Sequence, residues 1–464
     1  MINIINFIYS KSPIFIQNTV VSLYGIIWKK RRFGGIFEKK KKEFRARNYF
    51  TKDDWCDYQT KELRKILVHA FKFVPFYTEK YKSAGFSLED FEKFNLSDIY
   101  KLPYLEKDEL RKYGKTSLLS INRDKGHFHS SSGSTGTPTS IFYSNSFHQN
   151  WSAAFEIRIR EWAGLNNKFS RGMIGGRRIV TGSGINGDLF RYNRAEKQVY
   201  FSAYHISPDT VLNYLDGMHK HKIDYMTGYA MSNYNLACLI EKSGFKAPKL
   251  KAVITSSEKL TSKMRDTFSR VYGCKTYDSY SGVEACGLIS ENEHGQLLFS
   301  PDTGIMEFLN QKGEICKAGE EGEIISTGFL NYDQPLIRYR IGDTAKLAID
   351  QINKCGRSMT IVDEIIGRVE DKIIGNDGRE MVRFHSIFIK INKILEAQII
   401  QHETTIFEIK VVVDNPLNLK EKQIILNRMT SQLGSIELNI NEVSSIARNS
   451  NGKFKAVISK IKYS

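Results

Sequence analysis

The run His129-Ser130-Ser131-Ser132-Gly133-Ser134-Thr135-Gly136-Thr137-Pro138-Thr139-Ser140 packs hydroxyl side chains around two glycines. Glycine admits positive φ there, so successive N–H groups and hydroxyls can converge on one anion, most naturally a phosphate. The same composition also describes a flexible linker. No Lys-Ser or Lys-Thr follows the second glycine, so the stretch is not a Walker A loop. Two further stretches share its character: Thr255-Ser256-Ser257-Glu258 and Asp278-Ser279-Tyr280-Ser281-Gly282-Val283-Glu284. Each alone is compatible with ordinary turn chemistry. Together they suit a nucleotide carrying Mg²⁺, with hydroxyls and N–H groups on phosphate and a carboxylate on the metal. The cysteines form no Cys/His arrangement that would make one of them a nucleophile.

Such loops need strands to aim them. After the first stretch, Ile141–Tyr143 reads as a strand and Phe147–Trp162 as a helix. The alternation recurs as strand Met173–Val180, strand Val199–Phe201, helix Pro208–His221, strand Tyr225–Thr227, helix Ser232–Lys242, strand Ala252–Thr255 and strand Cys274–Tyr277. Short apolar strands alternating with helices predict an α/β layer with a largely parallel sheet, whose ligands gather in the loops after the strands. Before it, Tyr58–Phe73 has helical periodicity and is stopped by Val74-Pro75. From Gly304 to Leu347, Gly-punctuated β segments predict a small barrel or distorted sheet, ending in Asp343 exposed by a turn. Beyond the charged joint Gly367-Arg368-Val369-Glu370-Asp371, a compact α+β module is expected: helix His385–Leu395, strand Thr405–Val413, helix Leu419–Leu433 and a basic tail with Asn451-Gly452-Lys453. The expected organisation is an arm over 1–50, a large domain over 51–367, a hinge at 368–371 and a small domain over 372–464.

The 464 residues carry a formal charge of +17, and 41% hydrophobic content is ample for real cores. Residues 1–50 hold eleven Lys or Arg against Glu38 and Glu43, so about half of the excess lies in the arm. Its apolar run Ile14–Trp28 contains Gln17 and Asn18, too short and too polar to span a bilayer, and no basic n-region of a signal peptide precedes it. The arm is expected either to rest on an anionic membrane face or to pack as a solvated helix. The rest of the chain lacks a basic stripe interleaved with aromatics, which argues against nucleic-acid binding. Six scattered cysteines without a Cys-x-x-Cys predict reduced thiols and a cytoplasmic protein, with the inner membrane face as the alternative location.

In order and spacing, these motifs resemble the adenylate-forming superfamily of acyl-CoA synthetases, aryl ligases and adenylation domains, and within it the phenylacetate–CoA ligase group and its CapK-like branch. The carriers are Ser131–Pro138, Tyr280–Glu284, Pro335–Asp343, Gly367–Asp371 and Asn451–Lys453, with Phe201–Ser207 and Gly228–Ala230 for the branch. The resemblance implies a large domain of parallel sheets flanked by helices with a small barrel-like subdomain, followed by a mobile C-terminal lid. It further implies that Ser131, Ser132, Gly133, Ser134, Thr135, Gly136 and Thr137 hold the ATP phosphates. Ser257 and Glu258 would line the adenine pocket beside Asp278, Ser279 and Ser281. Tyr280 would stack on the base, Glu284 bind Mg²⁺, Asp343 grip the ribose, and Arg368 contact ribose and phosphate. Lys453 would bridge the attacking carboxylate and the α-phosphate, with a surface lysine in a basic tail as the alternative. Glu370 or Asp371 would be the hinge pivot. Tyr204, His205, Tyr229 and Ala230 are the candidate acid-pocket residues.

Two departures bear on the acceptor and on metal. Gly375-Asn376-Asp377-Gly378-Arg379 replaces the glycine-rich stretch of CoA-using relatives, which leaves CoA without support as acceptor. Asn292 and Asn353 stand where two cysteines of a zinc site would be, leaving His294 and Cys355, too few ligands for structural zinc. The expected function is ATP-dependent activation of a small carboxylic acid or amino acid to an acyl-adenylate. Transfer would follow to an amine, hydroxyl or thiol, with a nucleotide- or lipid-linked sugar of a surface polysaccharide as favoured acceptor. The alternatives are a phenylacetate-type acyl–CoA ligase and a non-catalytic nucleotide-binding scaffold.

Overall fold

The computed structural model describes residues 9, 12–130, 139–176, 179, 187–368, 373–375, 380–381, 385–388, 391, 393–448 and 454–461. Two compact units result, one formed by residues 1–341 with 346–364, the other by 342–345 with 365–464.

The first unit opens with helices α1 (Ile14–Phe33), α2 (Phe37–Ala46) and α3 (Lys52–Phe73). A capping box between Thr51 and Asp54 starts α3, and Val74-Pro75 ends it and opens α4 (Pro75–Ser83), as the periodicity predicts; the short helices α5 (Leu88–Glu92) and α6 (Lys107–Tyr113) follow. Strands β1 (Gly126–Ser130) and β2 (Ser140–Ser144) pair antiparallel as a separate two-stranded ribbon, with Ser130 opposite Ser140. The hydroxyl-rich stretch therefore joins two ribbon strands rather than leading from the large sheet into a helix, and its first and last residues belong to those strands. Helix α7 (Asn145–Phe155) passes into a π-helical turn at Glu156–Arg160 instead of running straight to Trp162. In this turn the buried Glu156 carboxylate accepts from Arg160 Nη1 at 2.7 Å through one oxygen and from the Asn167 amide at 2.7 Å through the other.

The remaining strands of this region are β3 (Arg171–Gly175), β4 (Phe190–Asn193), β5 (Gln198–Ser202), β6 (Tyr225–Tyr229), β7 (Ala252–Ser256), β8 (Lys275–Tyr280), β9 (Ile289–Glu291), β10 (Leu297–Phe299), β11 (Gly304–Leu309), β12 (Glu321–Gly328), β13 (Tyr339–Leu347) and β14 (Ile361–Arg368). Among the described residues they form one sheet in the order β11-β12-β13-β14-β10-β9-β8-β7-β6-β3-β5-β4. From β5 through β3, β6 and β7 to β8 the pairing is parallel, as expected. The Gly-punctuated segments continue the same sheet, with β8–β9, β9–β10, β10–β14 and β11–β12 antiparallel. Helices α8 (Val211–Lys220), α9 (Ala230–Ser243) and α10 (Ser262–Tyr272) cover the parallel half, burying Tyr214, Leu236 and Phe268 against Val199, Met226 and Val253. Gly228 has φ +121°, and a Cβ there would strike the Ile174 carbonyl, so only glycine lets β6 lie this close to β3.

Three boundaries differ from expectation at functional positions. β3 stops at Gly175, short of Val180. β8 continues through Asp278, Ser279 and Tyr280, which were expected in the following loop. Asp343 lies within β13 after Gly342 at φ +81°, not at a turn closing the segment.

In the second unit, β15 (Ile373–Ile374) pairs antiparallel with β16 (Glu380–Met381), and β17 (Ile394–Gln401), β18 (Ile406–Val413), β19 (Glu437–Glu442) and β20 (Val457–Ser459) form a sheet in the order β19-β18-β17-β20. Helix α12 (Leu419–Leu433) packs Ile425, Met429 and Leu433 with Ile399, Phe407 and Ile409. The expected helix His385–Leu395 is shorter: α11 spans His385–Phe388, and Ile394 already begins β17.

Candidate active site

The parallel register lines up the carboxyl ends of five strands. Gly175 pairs with Ser202, Ile174 with Gly228, Tyr229 with Ser256, and Ser256 with Ser279. One edge of the sheet thus brings together Ser202, Tyr204, His205, Tyr229, Ser256, Ser257, Ser279 and Tyr280, the place where open α/β sheets bind ligands.

At one end of the edge, Ser202 Oγ lies 2.7 Å from His205 Nδ1 and accepts from the Tyr204 amide at 3.2 Å. The Tyr204 hydroxyl donates to the Gly176 carbonyl at 3.2 Å, and Tyr229 interacts with the Gly176 backbone. Burial, with the Glu258 carboxylate and Tyr204 nearby, pushes the Tyr229 phenol up to about 12, so it stays a proton donor. Ala230 is fully buried at the start of α9, within the core beneath this edge.

In the middle, Ser257 stands at φ +69°, a left-handed conformation that is uncommon for a side-chain-bearing residue and collects at functional sites. The next residue, Glu258, accepts from the Met231 amide at 2.8 Å and so neutralises the N-terminus of α9. Glu258 is therefore tied to the helix that follows β6.

At the other end the Asp278 carboxylate accepts from the Ser279 amide at 2.9 Å and from Thr255 Oγ1 at 3.3 Å, while the Asp278 amide donates to Glu291 at 2.8 Å. Arg265 grips Glu291 with two nitrogens at 2.9 and 2.8 Å. Burial, and secondarily the Glu291 charge, pushes the Asp278 carboxyl up to about 7. The Ser279 hydroxyl donates across to the Thr255 carbonyl at 3.1 Å. These bonds explain why so polar a segment continues as strand. Ser281 follows in the connecting loop.

Glu284 accepts from the Thr139 hydroxyl at 3.3 Å, and the Tyr143 hydroxyl donates to the Val283 carbonyl at 2.8 Å. The ribbon strand leaving the hydroxyl-rich stretch is thereby fixed to the Glu284 turn. A Cβ at Gly282 would fall on the Glu284 carboxylate, so glycine makes room for it. A carboxylate beside a hydroxyl is a hard oxygen pair of the kind Mg²⁺ accepts, and the donor set fits that ion.

Ser131, Ser132, Gly133, Ser134, Thr135, Gly136, Thr137, Glu370, Asp371 and Lys453 lie outside the described residues. Arg368 ends β14, and Asp343 lies in β13 and counts with the second unit. Just after Lys453, the carbonyls of Lys455 and Ala456 accept from Gln398 Nε2 at 2.7 Å and the Ile399 amide at 2.8 Å. At the expected remnant of a zinc site, Asn292 Nδ2 lies 3.3 Å from Cys355 Sγ, which donates to Asn353 Oδ1 at 2.7 Å. Among the described residues no three His, Cys, Asp or Glu side chains gather to hold a metal.

Sequence reasoning did not find Ser202, the Gly176 carbonyl, Glu291 or Arg265, and it gave Thr139 no role of its own. Nothing in the spacing points to Glu291, because strand pairing alone brings it to Asp278.

A mixed sheet whose parallel half ends in this polar edge, followed by a small α+β unit, is the fold of solved acyl-CoA ligases, and the chain is similar to protein CapK and to phenylacetate-coenzyme A ligases. Residues 373–460 match the family model described as the CapK C-terminal domain. Protein CapK of Staphylococcus aureus is 26% identical over 433 residues, which cover 92% of each chain. The phenylacetate-coenzyme A ligase of Aromatoleum evansii is 26% identical over 341 residues, covering 70% of this chain and 72% of that one. Among solved structures, a 2-hydroxyisobutyryl-CoA ligase in the postadenylation state superposes with a TM-score of 0.70 at 18% identity, covering 90% of this chain and 92% of that one.

Proposed function

We propose that this AMP-forming ligase joins a carboxylate to ATP as R–COO⁻ + ATP → R–CO–AMP + PPi, then passes the acyl group to an amine or hydroxyl of a surface-polysaccharide precursor. The observation that carries the adenylation step is the Thr139–Glu284 contact, which ties the exit of the hydroxyl-rich stretch to the carboxylate beside the sheet edge. Ser131–Thr137 hold the β- and γ-phosphates, and Tyr280, Ser257 and the Asp278–Ser279 strand end receive the adenine. Tyr204, His205 and Tyr229 line the acid pocket. Asp343 and Arg368 take the ribose, the chain pivots at Glu370 or Asp371, and Lys453 brings a positive charge to the α-phosphate. Two anions must approach each other in this reaction, so positioned cations and hydrogen-bond donors lower the barrier without a covalent nucleophile. Glu284 would hold a magnesium ion, which would supply further charge neutralisation when bound.

Similarity to protein CapK along 92% of both chains supports a role in capsule or related glycan assembly. Formation of a CoA thioester is the second reading, favoured by similarity to the phenylacetate-coenzyme A ligases.

A library of carboxylic and amino acids scored for pyrophosphate release, with and without CoA, tests both. Release with one acid class and no need for CoA supports transfer to a glycan, whereas CoA-dependent turnover supports the thioester. Lys453→Ala is expected to lower acid-dependent pyrophosphate exchange by about a hundredfold or more while sparing use of a supplied acyl-adenylate. Exchange at the unaltered rate removes Lys453 from the reaction.

A further inference from the structure

Helix α1 is built inside out. Its polar side faces the protein: Arg191 Nε donates to Gln17 at 2.5 Å, the Tyr192 amide donates to Asn18 at 2.9 Å, and the Arg194 amide donates to Ser22 Oγ at 3.0 Å. Further along, Lys29 Nζ donates to the Ala195 carbonyl at 3.1 Å, and Arg32 pairs with Glu196, whose side chain is buried. The opposite side carries Phe15, Ile16, Val20, Leu23, Ile26 and Ile27, exposed to between 39% and 71%. At 100° per residue these six fall within an arc of about 140°, so they form one apolar stripe along the helix. A soluble helix ordinarily buries such a stripe, and a contiguous exposed apolar patch marks an interaction surface.

The charges around the stripe identify its occupant. Lys29 and Lys30 are exposed at the C-terminal end of α1, and Lys39 and Lys42 are exposed on α2. Between residues 12 and 48 the only acidic residues are Glu38 and Glu43. A second copy docking by two-fold symmetry would bring these same basic clusters face to face. A bilayer with anionic headgroups offers the opposite charge beside an apolar layer. The helix is not long and apolar enough to cross a membrane, which leaves it lying in the interfacial plane.

We propose that the outward stripe Phe15–Ile27 of α1, with the lysines beside it, docks this protein on an anionic lipid surface, held to the body by the polar seam with β4. Docking is independent of which acid or acceptor the enzyme uses.

The test is flotation of the purified full-length chain with vesicles of phosphatidylcholine alone or with phosphatidylglycerol. The protein should float with the anionic vesicles only and come off at high salt. Leu23→Glu with Ile27→Glu should lower the bound fraction by about tenfold or more, because it removes buried apolar contact and adds repulsion. Lys30→Glu with Lys39→Glu should lower it in anionic vesicles as well. Both pairs lie at exposed positions, so thermal melting should match the parent, and Leu23→Ser with Ile27→Ser serves as a milder second variant. Absence of flotation, or equal flotation of the Leu23 and Ile27 variants, overturns the proposal. So does a concentration-dependent dimer in sedimentation equilibrium that the same variants dissolve without any vesicle binding, since the stripe would then belong to a second copy.

Discussion

At the carboxyl end of β8, the Asp278 carboxylate is enclosed by Thr255 and Ser279 and lies next to Glu291; between α1 and β4, Gln17, Asn18 and Ser22 hydrogen-bond the Arg191 side chain and the backbone of Tyr192 and Arg194. Both are polar seams joining elements far apart in sequence, but they differ in cost. Asp278 must be kept from water next to another carboxylate, and its pKa rises to about 7 as a result. The α1 seam also buries Gln17, Arg191 and Glu196, but each charge there meets a partner, Arg191 on Gln17 and Arg32 on Glu196, so each bond adds a little stability. Polarity is thus carried at a loss where ligand chemistry is proposed, and at a small gain where an arm is attached.

The largest expected effect lies at Asp278. Its folded pKa is raised, so the proton is held in the folded protein and released in the unfolded chain as pH rises from about 4 to about 7. Stability should fall across that window and stay low above it. Asp278→Asn removes the burdened charge and should gain on the order of 4 kcal/mol at most above pH 7, with no gain near pH 4. Paired melts at pH 5 and pH 8 check this, and a variant less stable than the parent at pH 8 breaks the contrast. In the other seam, Gly25→Ala places a Cβ against the Asn193 side chain and should lose about 1–3 kcal/mol. Ser22→Ala removes one bond donated to the Tyr192 carbonyl and one accepted from the Arg194 amide, for a loss of about 1 kcal/mol and faster hydrogen exchange at Arg194.

What could be read from the chain follows from where the signal is local. Helix Leu419–Leu433 is found as expected, because Asn418 and Glu421 form a capping box and the apolar period is unbroken. The parallel core strands are recognisable for the same reason, as short apolar runs between turn residues. Signals that depend on a distant partner were not legible. Asp278 and Ser279 look like loop residues because polar groups are poor strand formers, yet Thr255 and Glu291 satisfy them in place. The pairing of Gly126–Ser130 with Ser140–Ser144 needs a register that no spacing announces. For α1, composition reveals an amphipathic helix, but only Arg191, Tyr192 and Arg194 decide that its polar side turns inward. The carboxylate Glu284 was visible by motif, whereas its partner Thr139 emerged only from folding.

The indole of Trp28, near the C-terminal end of α1, meets His129 edge-on at 5.9 Å and His148 at 5.2 Å, while Arg31 lies within 2.7 Å of His127. Burial and the nearby arginine charges hold the His148 imidazole down at about 3, so His148 stays uncharged at neutral pH. His127 and His129 belong to the strand that runs directly into the hydroxyl-rich stretch. The arm thus abuts, through Trp28 and Arg31, the strand that leads into the residues proposed to grip the triphosphate.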